Sequence, residues 1–447
     1  MLKLVKIVLI GVVLSAGIIG AVVLMTPLTI EEVPRIDPSA SIDPSGSDVE
    51  VARPDLVSDN RQVTLQLPTV RLVKGTKELQ DELRETAKAV TEAFPKDSAS
   101  WHLAAQIESE LSQSERAEFF WRKCLELKPL HFGPYLGLAE LLTSKGRFQD
   151  ATQVLQRVFE LGGSTEEVYL KLGEAFENQG KLKEALDTLT IGVELFPQDS
   201  SLLYGLGRLQ AQSERLSEAE NNIKRAMALG GENKKNLSTL VGVLMRLDKR
   251  DEALNVRERL KEMSAQDHAS SGQGESAFQV AYDAALSTSA YRIFEGCGNL
   301  AYQNRQFSMA EKYLLRAIGQ DPKIASGWIT LSEVLLHQSK YGDVIEVLQR
   351  IIELEPKDLV YRVNLASVGH KLGDTQLAES TLRQAIEIDP NSELVLAALA
   401  KLHAATGNFA KAKEAVALLV KLNSSPEVLQ LKEYIEKAAS QAVVDPP

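Results

Sequence analysis

Along residues 98–425 the apolar positions fall into two helical stripes that return every 34 residues. The frame starts at Ser98, Phe132, Glu166, Ser200 and Lys234, and again at Tyr291, Ala325, Leu359 and Glu393. Large apolar residues stand four and seven places in, as with Tyr169 and Leu172 or Trp328 and Leu331. Small residues stand eight places in (Ala105, Ala139, Gly173, Gly207, Gly298, Ser332, Ala366, Ala400) and twenty places in (Ala117, Ala151, Ala185, Ala219, Ala253, Ala310, Ala378, Ala412). Prolines keep the same period. Pro95 and Pro129 are 34 residues apart, as are Pro322, Pro356 and Pro390. Pro197 to Pro322 spans 125 residues, which is three repeats and an insertion of about 23.

This pattern predicts two antiparallel helices per repeat, each with one apolar stripe. Small residues at the crossings let the helix axes approach to the short end of the usual 8–10 Å, and the large residues fill the space beside them. Gly146, Gly180, Gly373 and Gly407 fall between the helices, where a left-handed cap is wanted. Asp97, Asp199, Asp358 and Ser392 are placed to cap the next repeat. Gly162-Gly163 and Gly230-Gly231 replace the closing proline. The fifth repeat departs most: Arg257 stands where an apolar residue is usual, so its packing is in doubt.

These residues resemble the tetratricopeptide repeat family in length, in small residues, in the aromatic or leucine four places in and in the closing proline. The resemblance recurs nine times over about residues 98–427. It implies an all-α fold: an α-solenoid, wound as a right-handed superhelix, with a concave groove that usually binds peptides. Repeats one to five cover 98–267 and repeats six to nine cover 291–425. Residues 76–97 are expected as a capping half repeat, with Thr76 to Phe94 as its helix, and 426–447 as a C-terminal capping helix and tail. The insertion, 268–290, divides the array. Residues 264–276 read as a flexible Gly/Ser-rich loop. Ala277 to Ser287 reads as a short helix that packs on the solenoid or lengthens the next helix. A hinge there and a rigid decorated solenoid are both open readings.

The first 30 residues change the picture. Lys3 and Lys6 precede Ile7 to Ile30, 24 residues without charge. At about 1.5 Å per residue this segment spans a bilayer. Lysines before it and acids after it predict a cytoplasmic N-terminus and an extracytoplasmic body, most readily a bacterial periplasm. The alternative is a signal peptide cleaved after Ser15-Ala16-Gly17, giving a secreted protein. Residues 31–75 read as a disordered acidic Pro/Ser-rich stalk, with eight Asp/Glu against two Arg over 31–60. Val63, Leu65 and Leu67 alternate with polar residues, as in one short strand.

The net charge of −11 makes nucleic acid a poor partner. Two cysteines, Cys124 and Cys297, exclude a disulfide scaffold, a four-cysteine zinc module and a lipidated N-terminus. No catalytic motif occurs, and no cofactor or metal is expected. Gly296-Cys297-Gly298-Asn299-Leu300-Ala301 has the spacing of a dinucleotide fingerprint, yet it lies inside a predicted helix with no strand before it. His337, His370 and His403 recur every 33 residues, one short of the period, so successive rings rotate by about 100° around their helices and do not converge on a metal.

Specificity is therefore expected on the inner wall, which in this family comes from the first helix of each pair. There the C-terminal four repeats offer Arg292, Asn299, Tyr302, Glu333, Asn364 and His370, a mixture of charged, amide and aromatic groups suited to an extended peptide. The Lys, Asn and Arg set with which some members grip a chaperone's C-terminal carboxylate is absent: the fitting places hold Glu295, Asn299, Thr330, Val360 and Asn364. The reading is a non-enzymatic scaffold or adaptor for protein or peptide partners in envelope assembly, secretion or export. The alternatives are a non-catalytic subunit of a glycosyltransferase, polysaccharide-export or periplasmic protease system, and a structural spacer.

Overall fold

The computed structural model describes residues 75–270 and 274–444. The expected membrane segment, stalk and short strand lie outside them, and no described helix is long and apolar enough to cross a membrane. All described elements are helices. Helix α1 (Thr76–Ala93) precedes five pairs: α2 (Ser98–Glu110) with α3 (Ser114–Leu127), α4 (Gly133–Ser144) with α5 (Phe148–Glu160), α6 (Glu166–Asn178) with α7 (Leu182–Leu195), α8 (Ser200–Gln212) with α9 (Leu216–Gly230), and α10 (Lys234–Arg246) with α11 (Arg250–Ser270). Four pairs follow: α12 (Gly274–Gln303) with α13 (Phe307–Gln320), α14 (Ala325–His337) with α15 (Tyr341–Leu354), α16 (Leu359–Lys371) with α17 (Thr375–Ile388), and α18 (Glu393–Ala405) with α19 (Phe409–Leu422). Helix α20 (Pro426–Val444) comes last.

Local chemistry accounts for these boundaries. The carboxylates of Asp97, Asp199 and Asp358 and the hydroxyl of Ser392 accept backbone N–H bonds at the starts of α2, α8, α16 and α18. Such caps are worth about 1 kcal/mol each. The crossing alanines Ala105, Ala117, Ala185 and Ala378 are fully buried. Between the helices of each pair one residue takes a positive φ. It is glycine at Gly146 (φ 71°), but Arg305 (57°), Glu214 (61°) and Asp248 (56°) occupy the same place in other repeats. The stack imposes the left-handed turn whatever the side chain.

The loop expected over 264–276 is corrected at 264–270 and 274–276, and residues 271–273 lie outside the described residues. Helix α11 runs on to Ser270 and α12 already begins at Gly274. Polar composition alone does not end a helix, and no proline or glycine occurs between Ser264 and Ser271. The apolar part of the insertion lengthens the next helix, making α12 a single element of 30 residues.

Helices α2 to α11 pack in chain order, and so do α12 to α20. Between these two stacks chain order breaks. Helix α12 packs on α1 and α2, and among the described residues not on α10 or α11. Arg257 and Glu258 are exposed on α11, and covering them with a helix would desolvate charge, which disfavours a stack continuing there. Helix α1, expected to close an end, is covered by α2 and by α12. Leu79, Leu83, Ala87 and Val90 of α1 share one apolar core with Leu103 and Ile107 of α2, Phe294 and Cys297 of α12 and Tyr313 of α13. Polar bonds frame that core. Arg316 donates twice to the Glu82 carboxylate at 2.6 Å, Thr76 donates to Asp283 at 2.5 Å, and Asn304 donates to Asp97 at 3.4 Å.

Gly296 faces α2: a Cβ there would stand 2.7 Å from Leu103 Cδ2. The dinucleotide-like spacing around it is thus a packing feature, with Gly298 likewise pressed on Leu314. Gly296→Val should destabilise the junction by about 1–3 kcal/mol through overpacking. Hydrogen exchange should show α1 and α12 losing protection before α4 to α9; uniform loss would refute this order. At the turn, a non-glycine residue in the left-handed region is disfavoured by about 1–2 kcal/mol. Glycine's greater freedom in the unfolded chain takes back about 0.4–1 kcal/mol. Arg305→Gly should therefore stabilise the protein by about 0.5–1 kcal/mol in urea unfolding.

Candidate functional site: the inner faces of the two stacks

The first helices of successive pairs stand beside one another, α4 by α6, α6 by α8, α12 by α14 and α16 by α18. Helical spacing puts residues two, five, nine and twelve places into each repeat on one exposed face. In the first stack several charges on and beside that face pair with one another. Lys171 pairs with Glu140 at 3.3 Å, Arg208 with Glu177 through two bonds of 2.5 and 2.6 Å, and Arg246 with Glu214 at 2.5 Å. Tyr204 and Thr239 hydroxyls lie 3.1 Å apart. The Glu177 hydrogen bonds hold the Arg208 guanidinium above its ordinary range.

The second stack is arranged differently. Arg292 is exposed and enters no ion pair among the described residues. Asn299 is half-buried on the same face of α12. Tyr302 lies beside Phe307 and His337, with ring centroids 6.2 and 5.7 Å away, while His337 stacks on Phe307 at 4.9 Å and 11°. The Tyr302 hydroxyl lies near enough to the Glu333 carboxylate for each to shift the other's titration. Burial raises the Glu333 carboxyl above the usual carboxylate range, and the Tyr302 hydroxyl and nearby His337 draw it part of the way back. Burial, with the Glu333 charge, pushes the Tyr302 hydroxyl up to about 12. Asn364 and His370 are half-buried on α16, and His370 Nδ1 is buried without a hydrogen-bond partner. The backbones of α14 and α16 stand further apart than those of α12 and α14.

Of the six residues expected here, Tyr302 and Glu333 stand near enough to perturb each other's titration. The other four, Arg292, Asn299, Asn364 and His370, form no hydrogen bond or ion pair with one another among the described residues. His337 and Phe307 were missed. His337 is thirteen places into its repeat, on the rim of the inner face, and this position could have revealed it. A second group also went unnoticed: the Glu295 carboxylate accepts from Ser326 at 2.5 Å and from Tyr291 at 3.2 Å, and the Tyr291 hydroxyl accepts from the Gly327 N–H at 3.1 Å.

His337, His370 and His403 take separate neighbours, His403 lying 3.9 Å from Glu379. Among the described residues no three His, Cys, Asp or Glu side chains are placed to hold a metal ion. Cys124 and Cys297 are free and buried. Burial raises both thiols, Cys124 to about 11, so neither is a ready nucleophile. Their separation by five repeats in sequence says nothing of distance, because α12 returns to α2.

Residues 98–129, 170–226, 298–358 and 370–433 match family profiles described as tetratricopeptide repeat, so the chain carries such repeats in both stacks. Repeats of this kind mediate protein–protein interaction and peptide binding, typically as non-catalytic scaffolds. Similar solved structures include that of YrrB, "a TPR protein with an unusual peptide-binding site". It is 21% identical, covers 39% of this chain and 92% of its own, and has a TM-score of 0.34. A structure of Naa15/Naa10 bound to HypK-THB is 14% identical over 76% of this chain and 60% of that one, with a TM-score of 0.28. A mutant of MamA is 17% identical over 38% and 92%, with a TM-score of 0.33. No curated protein matches the sequence.

The Tyr302 hydroxyl favours the charged form of Glu333. Tyr302→Phe should therefore raise the Glu333 pKa further, followed through its carboxyl carbon shift in an NMR pH titration. An unchanged or lower value would mean that the hydroxyl does not hold the carboxylate.

Proposed function

We propose that this repeat protein is a non-enzymatic scaffold that holds protein or peptide partners against the inner face of its second stack. The observation that carries the reading is the aromatic group of Tyr302, Phe307 and His337 beside Glu333, with Arg292 and Asn299 on the same face of α12 as Tyr302. Aromatic side chains with a polar tip suit an anchor, and unpaired amide and guanidinium groups suit a peptide backbone and its acids. The first stack supports the choice by contrast, since Lys171, Arg208 and Arg246 there are bound to its own glutamates.

The setting proposed is the extracytoplasmic side of a membrane, with Ile7 to Ile30 as anchor and Lys3 and Lys6 inside. The processes that suit such a tethered adaptor are envelope assembly, secretion and export.

Crosslinking in intact cells with mass spectrometry tests the reading. Tyr302→Ala should lower recovery of the principal crosslinked partner by about 5- to 150-fold, the effect of an anchor worth about 1–3 kcal/mol. Arg292→Ala, an exposed position, should lower it several-fold without touching the core. Equal recovery from both variants would rule out this face. Protease added outside a permeabilised outer barrier should digest residues 31–447, and protection of the repeats would reverse the topology.

A further inference from the structure

We propose that the last pair, α18 and α19, together with α20 is an acid-sensitive end of the second stack, which opens as buried His403 gains a proton. This goes beyond the scaffold reading and stands or falls without it.

The place of His403 is unusual. It stands eleven places into its repeat, where Leu142 in α4, Leu244 in α10 and Leu335 in α14 are buried. His403 is buried too, at 8% exposure, and its Nδ1 has no hydrogen-bond partner. Leucine satisfies the packing at this place elsewhere, so the imidazole puts a titratable group at an apolar position. A buried polar atom without a partner costs free energy, and a buried charge costs more. Helices α16, α17, α19 and α20 pack on α18. From α17, Glu379 comes within 3.9 Å of Nδ1, and from α19, Lys411 and Glu414 act on the ring. Helices α16 and α20 bring no charge that acts on it. Burial holds the imidazole below the usual histidine range, and Lys411 adds to this, while Glu379 and Glu414 draw it part of the way back.

The core at this end is thin. Ala400, Ala412, Ala415, Val416 and Ile435 form it, and three of the five are alanines, which bury little apolar surface. Towards the rest of the stack, Leu382 of α17 shares a core with Val395 and Leu402 of α18. Stability in a stack is nearly a sum of neighbouring interfaces, so an end pair with a thin core opens before the repeats inside it. In the closed end the ring stays neutral, whereas in the opened end it takes a proton at its ordinary value of about 6.5. Stability is therefore full above about pH 6.5 and is lost as the pH falls below it. The opening constant rises by up to about tenfold per pH unit, until the ring of the closed end protonates as well. An ordinary Asp or Glu titrates near about pH 4, so the window of about pH 5.5–6.5 belongs to histidine.

The test is hydrogen exchange of the full chain in detergent at about pH 7.5 and about pH 5.5, with rates corrected for the intrinsic pH dependence of exchange. The opening constant of α18 to α20 should rise about three- to tenfold at the lower pH, while that of α4 to α9 changes by less than about twofold. His403→Leu, which installs the residue of the equivalent places, should raise protection of α18 to α20 and make their opening constant the same at both pH values. His403→Gln keeps a polar side chain that does not titrate and should be equally flat, so the test survives a leucine variant that packs badly. Glu379→Gln should enlarge the acid loosening, because it removes a charge that favours the protonated ring. His370→Gln, on α16, should leave the loosening as it is. An opening constant equal at both pH values in the parent chain, or acid loosening retained in His403→Gln, would overturn the proposal.

Discussion

The contact of α12 with α2 is the constraint on which the rest depends. Helix α2 opens the first stack and also supports the second, and Gly296 leaves room at their contact for the Leu103 side chain. Leu79, Leu83, Val90, Phe294 and Cys297 are buried around that point. A buried aliphatic or aromatic side chain contributes about 1.5–3 kcal/mol. The bidentate Arg316–Glu82 pair adds less net energy, because desolvation offsets its attraction, but its fork geometry sets the register of α13 against α1. Apolar burial therefore joins the stacks and the ion pair aligns them.

The two inner faces follow different electrostatic rules. In the first stack three cations on the inner side, Lys171, Arg208 and Arg246, bridge to glutamates of the preceding pair, as Arg208 does to Glu177. Such partly exposed pairs add little stability, about 0–1 kcal/mol, yet they occupy donors that a ligand would use. In the second stack Glu295 accepts from the Ser326 and Tyr291 hydroxyls, and Glu333 lies by the Tyr302 hydroxyl. Arg292 enters no ion pair among the described residues.

The repeat was legible in the sequence because its determinants are local. The caps at Asp97, Asp199, Asp358 and Ser392 and the left-handed glycine at Gly146 each act within a few residues. The crossing alanines act within one period of 34, so they too leave a periodic trace. Tyr302 and Glu333 are neighbours for the same reason, standing one repeat apart on adjacent helices. Where composition was used instead of periodicity the reading failed, as at 264–270, where polar residues continue α11.

What the sequence by itself determined is therefore the set of helices, their pairing and the face each turns inward. Only the tertiary structure decided that α12 passes over α11 and returns to α1 and α2. The junction joins residues more than 200 positions apart, such as Glu82 and Arg316 at a separation of 234. A contact made once, at that distance, has no period and no local signature. Gly296 shows the difficulty: in the sequence it reads as a glycine with nucleotide-loop spacing, and its purpose appears only when Leu103, from another stack, is seen against it.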